Sequence, residues 1–234
     1  MGFKQKLPIR LSQRFSTKKA HAMQLRLSKQ VIHEDTLPET INYVAGVDVA
    51  YTKGMSIGAV AVLDFASLSL VEYQVVRLKT RFPYIPTLLS FREIPPAYSA
   101  IKKLQTQPDV FLVDGQGFAH PYRLGFATHL ALAIDAPTIG VAKNLLCGKV
   151  EPVGEHGWTP LTDREEVIGA EVVAKLGTKP IYVSVGHRVS LKRAIDVVRS
   201  CTRNYRIPEP IRRAHILANE EKRKLRQADF HQII

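Results

Sequence analysis

At 234 residues, 45% hydrophobic and with a formal net charge of +12, the chain is long enough to bury a sizeable core, and one domain spanning 1–234 is expected. No stretch reaches the roughly 18 uninterrupted apolar residues of a membrane helix, and the N-terminus lacks a compact apolar secretory core, so the expectation is a cytoplasmic protein with no membrane partner. Two cysteines, Cys147 and Cys201, supply neither a disulfide framework nor a zinc pattern and read as reduced thiols.

The basic surplus sits at the ends. Residues 1–33 carry eight Lys or Arg and no acid, 188–234 carry twelve basic against five acidic, and the body between them carries thirteen basic and sixteen acidic. Basic helical extensions gripping a polyanion around an acidic centre fit that distribution, and so does a solvated basic exterior. In chain order, Ile9, Leu11, Phe15, Met23, Leu25, Leu27, Val31 and Ile32 among basic residues predict a helix over 10–33, packed on one face and charged on the other. Strand-like runs at 43–50, 57–64 and 69–78 follow, with connections at Lys53-Gly54 and Phe65-Ala66-Ser67 short enough for antiparallel hairpins. Asp48 is the one charge in the first run. A lone carboxylate among apolar groups must be neutralised, paired or bound to a cation.

Pro83-Tyr84-Ile85-Pro86 breaks the pattern, and 87–93 and 97–105 read as helical pieces interrupted by Pro95-Pro96, with Glu93 ending the first. The apolar run 109–114 closes on Asp114 and opens into Gly115-Gln116-Gly117, which places a second carboxylate where a buried strand meets a glycine-rich loop. Two such aspartates suggest a site for a hard cation, and Mg²⁺ suits carboxylate oxygens. A helix over 121–135 beginning at Pro121 and a strand at 138–142 complete a βαβ unit with parallel pairing. A hairpin from 165–174 and 181–185, then Arg- and Lys-rich helices at 190–202 and 209–226, finish the chain. Antiparallel strands followed by a parallel unit, with helices between, give an α/β mixed sheet with flanking helices.

Several motifs in one order carry a resemblance. They are Val44-Ala45-Gly46-Val47-Asp48-Val49-Ala50-Tyr51, Pro83-Tyr84-Ile85-Pro86 followed by Phe91-Arg92-Glu93, and Val113-Asp114-Gly115-Gln116-Gly117 with Ala119-His120-Pro121. Ile139-Gly140-Val141-Ala142-Lys143 and Tyr205-Arg206-Ile207-Pro208-Glu209-Pro210 follow. Over about residues 35–215 the chain resembles endonuclease V, the deoxyinosine-directed repair nuclease, and the resemblance implies a ribonuclease H-like fold. Taken singly, Asp48 and Asp114 would read as strand-end caps and Glu93 as a solvated helix-end acid. The resemblance makes Asp48 and Asp114 metal-binding aspartates, Glu93 the third carboxylate of the centre, and Lys143 a catalytic cation. His215 stands where relatives commonly carry an aspartate near the metal.

The implied chemistry is Mg²⁺-dependent hydrolysis of the second phosphodiester bond 3′ to deoxyinosine in DNA, with Mn²⁺ as a substitute ion, by a monomer. Pro83, Tyr84, Ile85 and Pro86 are the implied wedge that fills the duplex when the lesion base rotates out, and their composition, stiff prolines around an aromatic and an aliphatic, suits insertion. Thr87, Leu89, Gly115, His120, Gly125 and Phe126 are the implied base pocket, with Thr87 at a position where relatives often have glycine. Alternatives open at this point are cleavage of inosine-containing RNA, a structure-specific nuclease, and a non-catalytic nucleic-acid-binding module.

Overall fold

The computed structural model describes residues 16–152, 158–175 and 177–230. Its elements are α1 (Thr17–Ser28), β1 (Tyr43–Thr52), β2 (Met55–Asp64), β3 (Leu70–Lys79), α2 (Ser90–Ile101), β4 (Val110–Asp114), α3 (Phe126–Ile134) and β5 (Thr138–Ala142). Then come β6 (Lys149–Val150), β7 (Thr159–Asp163), β8 (Glu166–Val172), β9 (Ile181–His187), α4 (Leu191–Ser200) and α5 (Glu209–Phe230). The strands form one mixed sheet in the order β3-β2-β1-β4-β5-β9-β8-β7-β6, in which β1–β4 and β4–β5 are parallel.

Period-2 alternation sorts the central strands into two faces. Val44 and Leu112 face a core shared with Ile195, Ile211 and Ala214 of α4 and α5. Ala45, Val47, Phe111 and Val113 face the opposite core, shared with Ala97 of α2 and with Phe126 and Leu130 of α3. Helices thus cover both faces, which is why β1, β2 and β4 read as nearly continuous apolar runs.

Four expectations need correction. The two helical pieces around Pro95-Pro96 are one helix, α2, with Glu93 in its first turn. Proline's φ is helical and each proline loses only one N–H bond. Pro96 is buried and its backbone presses on Gly58 of β2, where an added Cβ would lie 2.3 Å from the Pro96 carbonyl, so tertiary packing holds the helix through the pair. The helix expected from Pro121 begins at Phe126, because the Gly117 and Gln116 carbonyls accept from the N–H groups of Gly125 (3.0 Å) and Ala127 (3.0 Å) and fix the preceding residues as a turn. Within the described residues the first helix runs only over Thr17–Ser28, while Ile9, Leu11 and Phe15 lie outside them. Its buried face is Ala20 and Gln24 rather than an apolar stripe, and Ile32 lies in irregular chain bonded to Arg188 and His187. Finally, β6 and β7 were not expected: β7 is Thr-Pro-Leu-Thr-Asp with only Leu161 buried, too polar for a strand pattern.

Candidate active site

Val47 and Val113 are register partners across the parallel β1–β4 pair, and the next residue on each strand is an aspartate. Both Asp48 and Asp114 therefore leave the sheet on the face that α5 covers. α5 supplies His215, and one ligand atom from each of Asp48, Asp114 and His215 lies within 4.8 Å of the others. The close seat of α5 depends on Gly46, two residues before Asp48: a Cβ there would lie 1.9 Å from the Pro210 carbonyl oxygen. His215 Nδ1 is 2.8 Å from Asp48 Oδ2, the other Asp48 oxygen accepts from the Val49 N–H at 2.8 Å, and Asn219 Nδ2 lies 3.2 Å from His215 Nε2 while donating to the His215 backbone carbonyl at 2.9 Å. Lys143, just past β5, donates to Asp114 Oδ2 at 2.5 Å. Arg206 ties down the carbonyl of Lys143 and that of Pro180.

Electrostatics make this group hungry for positive charge. Burial, then the charges of Asp48 and Asp114, push the Glu93 carboxyl up to about 8. Burial and Asp48 likewise raise Asp114, against the opposing pull of Lys143. The hydrogen bond to Asp48 raises His215. Carboxylates that resist ionising in one another's company, with one imidazole at the rim, offer donors suited to a hard divalent cation, whose charge would reverse these shifts.

Beside the cluster lies a cavity of about 360 Å³. Thr87, Leu89, Gly115, His120, Gly125 and Phe126 all line it, and it shares Glu93, Asp114 and Lys143 with the acidic group. Its glycine-lined side is a matter of close approach: a Cβ on Gly125 would meet the Gln116 carbonyl oxygen at 2.2 Å. Burial lowers the His120 imidazole to about 4, so the ring is neutral at pH 7. On the loop before the pocket Tyr84 is 69% exposed, not packed into the core.

Sequence reasoning missed Ser90, Asn144, Leu145 and Leu146 in the cavity wall, which carry no motif signal of their own, and gave no pocket role to Gln116 of the Asp114 motif. It also missed Arg92, whose guanidinium lies 4.2 Å over the Tyr51 ring, Arg206 behind Lys143, and Gln24, which bonds to Thr87. Gln24 had a detectable signature: it stands four residues after Ala20, at helical spacing, where an apolar side chain would be ordinary.

Comparison with known proteins adds independent findings. The family model described as Endonuclease V matches residues 25–216. An endonuclease V of Thermofilum pendens is 46% identical over 224 residues, covering 95% of this chain and 96% of that protein. The crystal structure of the Streptomyces avermitilis endonuclease V superposes with a TM-score of 0.83 at 38% identity, covering 93% of this chain and 96% of that one. A Ciona intestinalis endonuclease V, solved in complex with a 24mer DNA containing an inosine followed by a ribo-adenosine, gives a TM-score of 0.80 at 31% identity, covering 89% and 98% of the two chains.

Proposed function

Because this chain belongs to the endonuclease V family, we propose that it is a divalent-metal-dependent endonuclease that recognises deoxyinosine in DNA and hydrolyses the second phosphodiester bond 3′ to it. The observation that carries the reading is the shared wall: Glu93, Asp114 and Lys143 border both the acidic cluster and a cavity large enough for a purine. A base turned into that cavity keeps its own strand close to the carboxylates.

Asp48 and Asp114, with His215 at the rim and Glu93 behind, are the residues that would hold Mg²⁺, or Mn²⁺ in its place. When bound, such an ion polarises a phosphoryl oxygen and makes a water nucleophilic near neutral pH. Glu93, reaching in from α2, orients that water. The Lys143 ammonium, held at Asp114, offers positive charge to the non-bridging oxygen on which charge grows in the transition state. Tyr84, exposed and flanked by Pro83, Ile85 and Pro86, takes the place of the displaced base in the stack. Hypoxanthine differs from guanine by lacking the exocyclic amine, so a close-fitting wall accepts one and rejects the other.

The test is cleavage of a labelled duplex carrying one deoxyinosine, with Mg²⁺ or with chelator, the cut position mapped to the nucleotide. A metal-dependent nick at the second bond 3′ to inosine is expected. Cutting that ignores inosine, or that survives chelation, contradicts the reading. A second substrate, inosine-containing RNA, is favoured by one observation, the ribo-adenosine in the strand bound by the Ciona protein. Matched ribo- and deoxyribo-inosine strands decide between them.

A further inference from the structure

Helix α1 lies against the cavity, and its buried face is made of Ala20 and Gln24. Gln24 has no exposed surface. Its carboxamide nitrogen donates to the Thr87 carbonyl at 2.8 Å and to the Leu124 carbonyl at 3.2 Å. Those carbonyls belong to separate stretches of the cavity wall: Thr87 stands in the turn before α2, and Leu124 stands beside Gly125 before α3. One turn earlier on the helix, His21 repeats the link. Its Nε2 is 3.0 Å from Thr87 Oγ1, and its ring stacks on Tyr122 at 3.9 Å and 11°.

Thr87 needs such restraint. Its φ is +67°, in the left-handed region that a β-branched residue avoids, so the turn holds this shape only while its surroundings impose it. Gln24 is also a costly choice for folding alone, since its Oε1 is buried without a hydrogen-bond partner. Its two donated bonds account for its presence.

We propose that α1 is a brace that fixes the width of the base pocket, with Gln24 the positioning residue that makes the pocket reject a purine bearing an extra exocyclic amine. The proposal rests on the base-pocket reading above and goes beyond it, for Gln24 and His21 stand behind the cavity wall and not in its lining. A wall free to move would yield to one added amino group, whereas a wall tied across both sides cannot.

The experiment compares kcat/KM on two duplexes that differ only in deoxyinosine or deoxyguanosine opposite the same thymine, for wild type, Gln24→Leu, Thr87→Gly and the double variant, with Tm measured for each. Gln24→Leu is expected to lower the inosine-to-guanine ratio about tenfold or more, on the scale that fit alone provides for one small group. Adding Thr87→Gly should restore part of the ratio, because glycine adopts φ +67° without a brace. A merely structural glutamine would lower Tm and both activities together and leave the ratio unchanged, and that result overturns the proposal. Where Gln24→Leu does not fold, His21→Ala carries the test, with a smaller fall in the ratio expected and an unchanged ratio overturning the brace. A wild-type chain that nicks neither duplex refutes the base-pocket reading and the brace with it. A selective wild type beside an equally selective Gln24→Leu refutes the brace alone.

Discussion

One added methyl at Gly46 should weaken divalent-ion binding without altering any ligand residue. In Gly46→Ala the new Cβ would stand 1.9 Å from the Pro210 carbonyl oxygen, and ordinary contact begins near 3.4 Å, so the start of α5 must retreat from β1 by about 1.5 Å. The displaced oxygen is backbone at the head of the helix that carries His215, with no flexible side chain to yield in its place. Ligand distances tolerate only about 0.2 Å. Crowding of this kind costs about 1–3 kcal/mol, which a fold stable by about 5–15 kcal/mol survives. The assay is calorimetric titration with Mn²⁺ alongside urea unfolding, with Gly186→Ala as the crowding control. That change puts a Cβ 2.4 Å from the Thr138 carbonyl, at the end of β5 away from Lys143. Both variants should lose comparable stability, and Gly46→Ala alone should lose ion affinity, by about 10- to 100-fold as when ligand-positioning groups are removed elsewhere. Wild-type affinity in a folded Gly46→Ala protein would refute the claim that the close seat of α5 on β1 positions the centre.

Asp48→Ala and Asp114→Ala should each abolish Mg²⁺-dependent nicking with the fold intact by circular dichroism, and full activity in either would contradict their assignment as ligands. Glu93 has a folded pKa of about 8 against 4.5 in the unfolded chain, so without metal its ionisation opposes folding and stability falls as pH rises through that window. Glu93→Gln should therefore stabilise the metal-free protein above pH 8, by about 1 kcal/mol or more, while losing activity, and an unchanged denaturation curve at pH 9 would argue against the shift. His120 runs the other way. Its pKa falls from 6.5 to about 4 on folding, so the unfolded state binds more protons in between, and the contribution is complete above pH 6.5 and lost toward pH 4. For this buried ring that is up to roughly 3 kcal/mol, and His120→Gln should flatten the acid limb of the stability curve in part, since His129 is also lowered to about 4 and remains. An unaltered acid limb would contradict it. Tyr84→Ala should weaken binding to inosine-bearing duplex more than to the corresponding single strand, measured by anisotropy, and equal losses would rule out insertion.

Much of the centre is legible in sequence because it obeys local rules. Asp48 is the one charge within its apolar run, Asp114 closes another, and alternation along paired strands places both on one face. The hairpins from β1 to β3 follow from their short connections, and the βαβ unit from its order. What escaped the sequence is what tertiary contacts decide. Pro95 and Pro96 stay helical because Gly58 lets the Pro96 backbone seat on β2, a fact no window around the prolines contains. Helix α3 starts late because carbonyls of the preceding loop capture its first N–H groups. Gln24 sits in what reads as a basic, partly apolar helix, and its role is visible only when Thr87 and Leu124, 63 and 100 residues away, are placed beside it.

The most direct measurement is anomalous diffraction from crystals of the chain grown with Mn²⁺. A single strong peak is expected between β1, β4 and α5, with carboxylate oxygens of Asp48 and Asp114 about 2.1 Å away, the distance typical of a small hard divalent ion. A protein that nicks inosine-containing duplex while its Mn²⁺ sits elsewhere, with Asp48 and Asp114 unligated, would contradict the account at its centre.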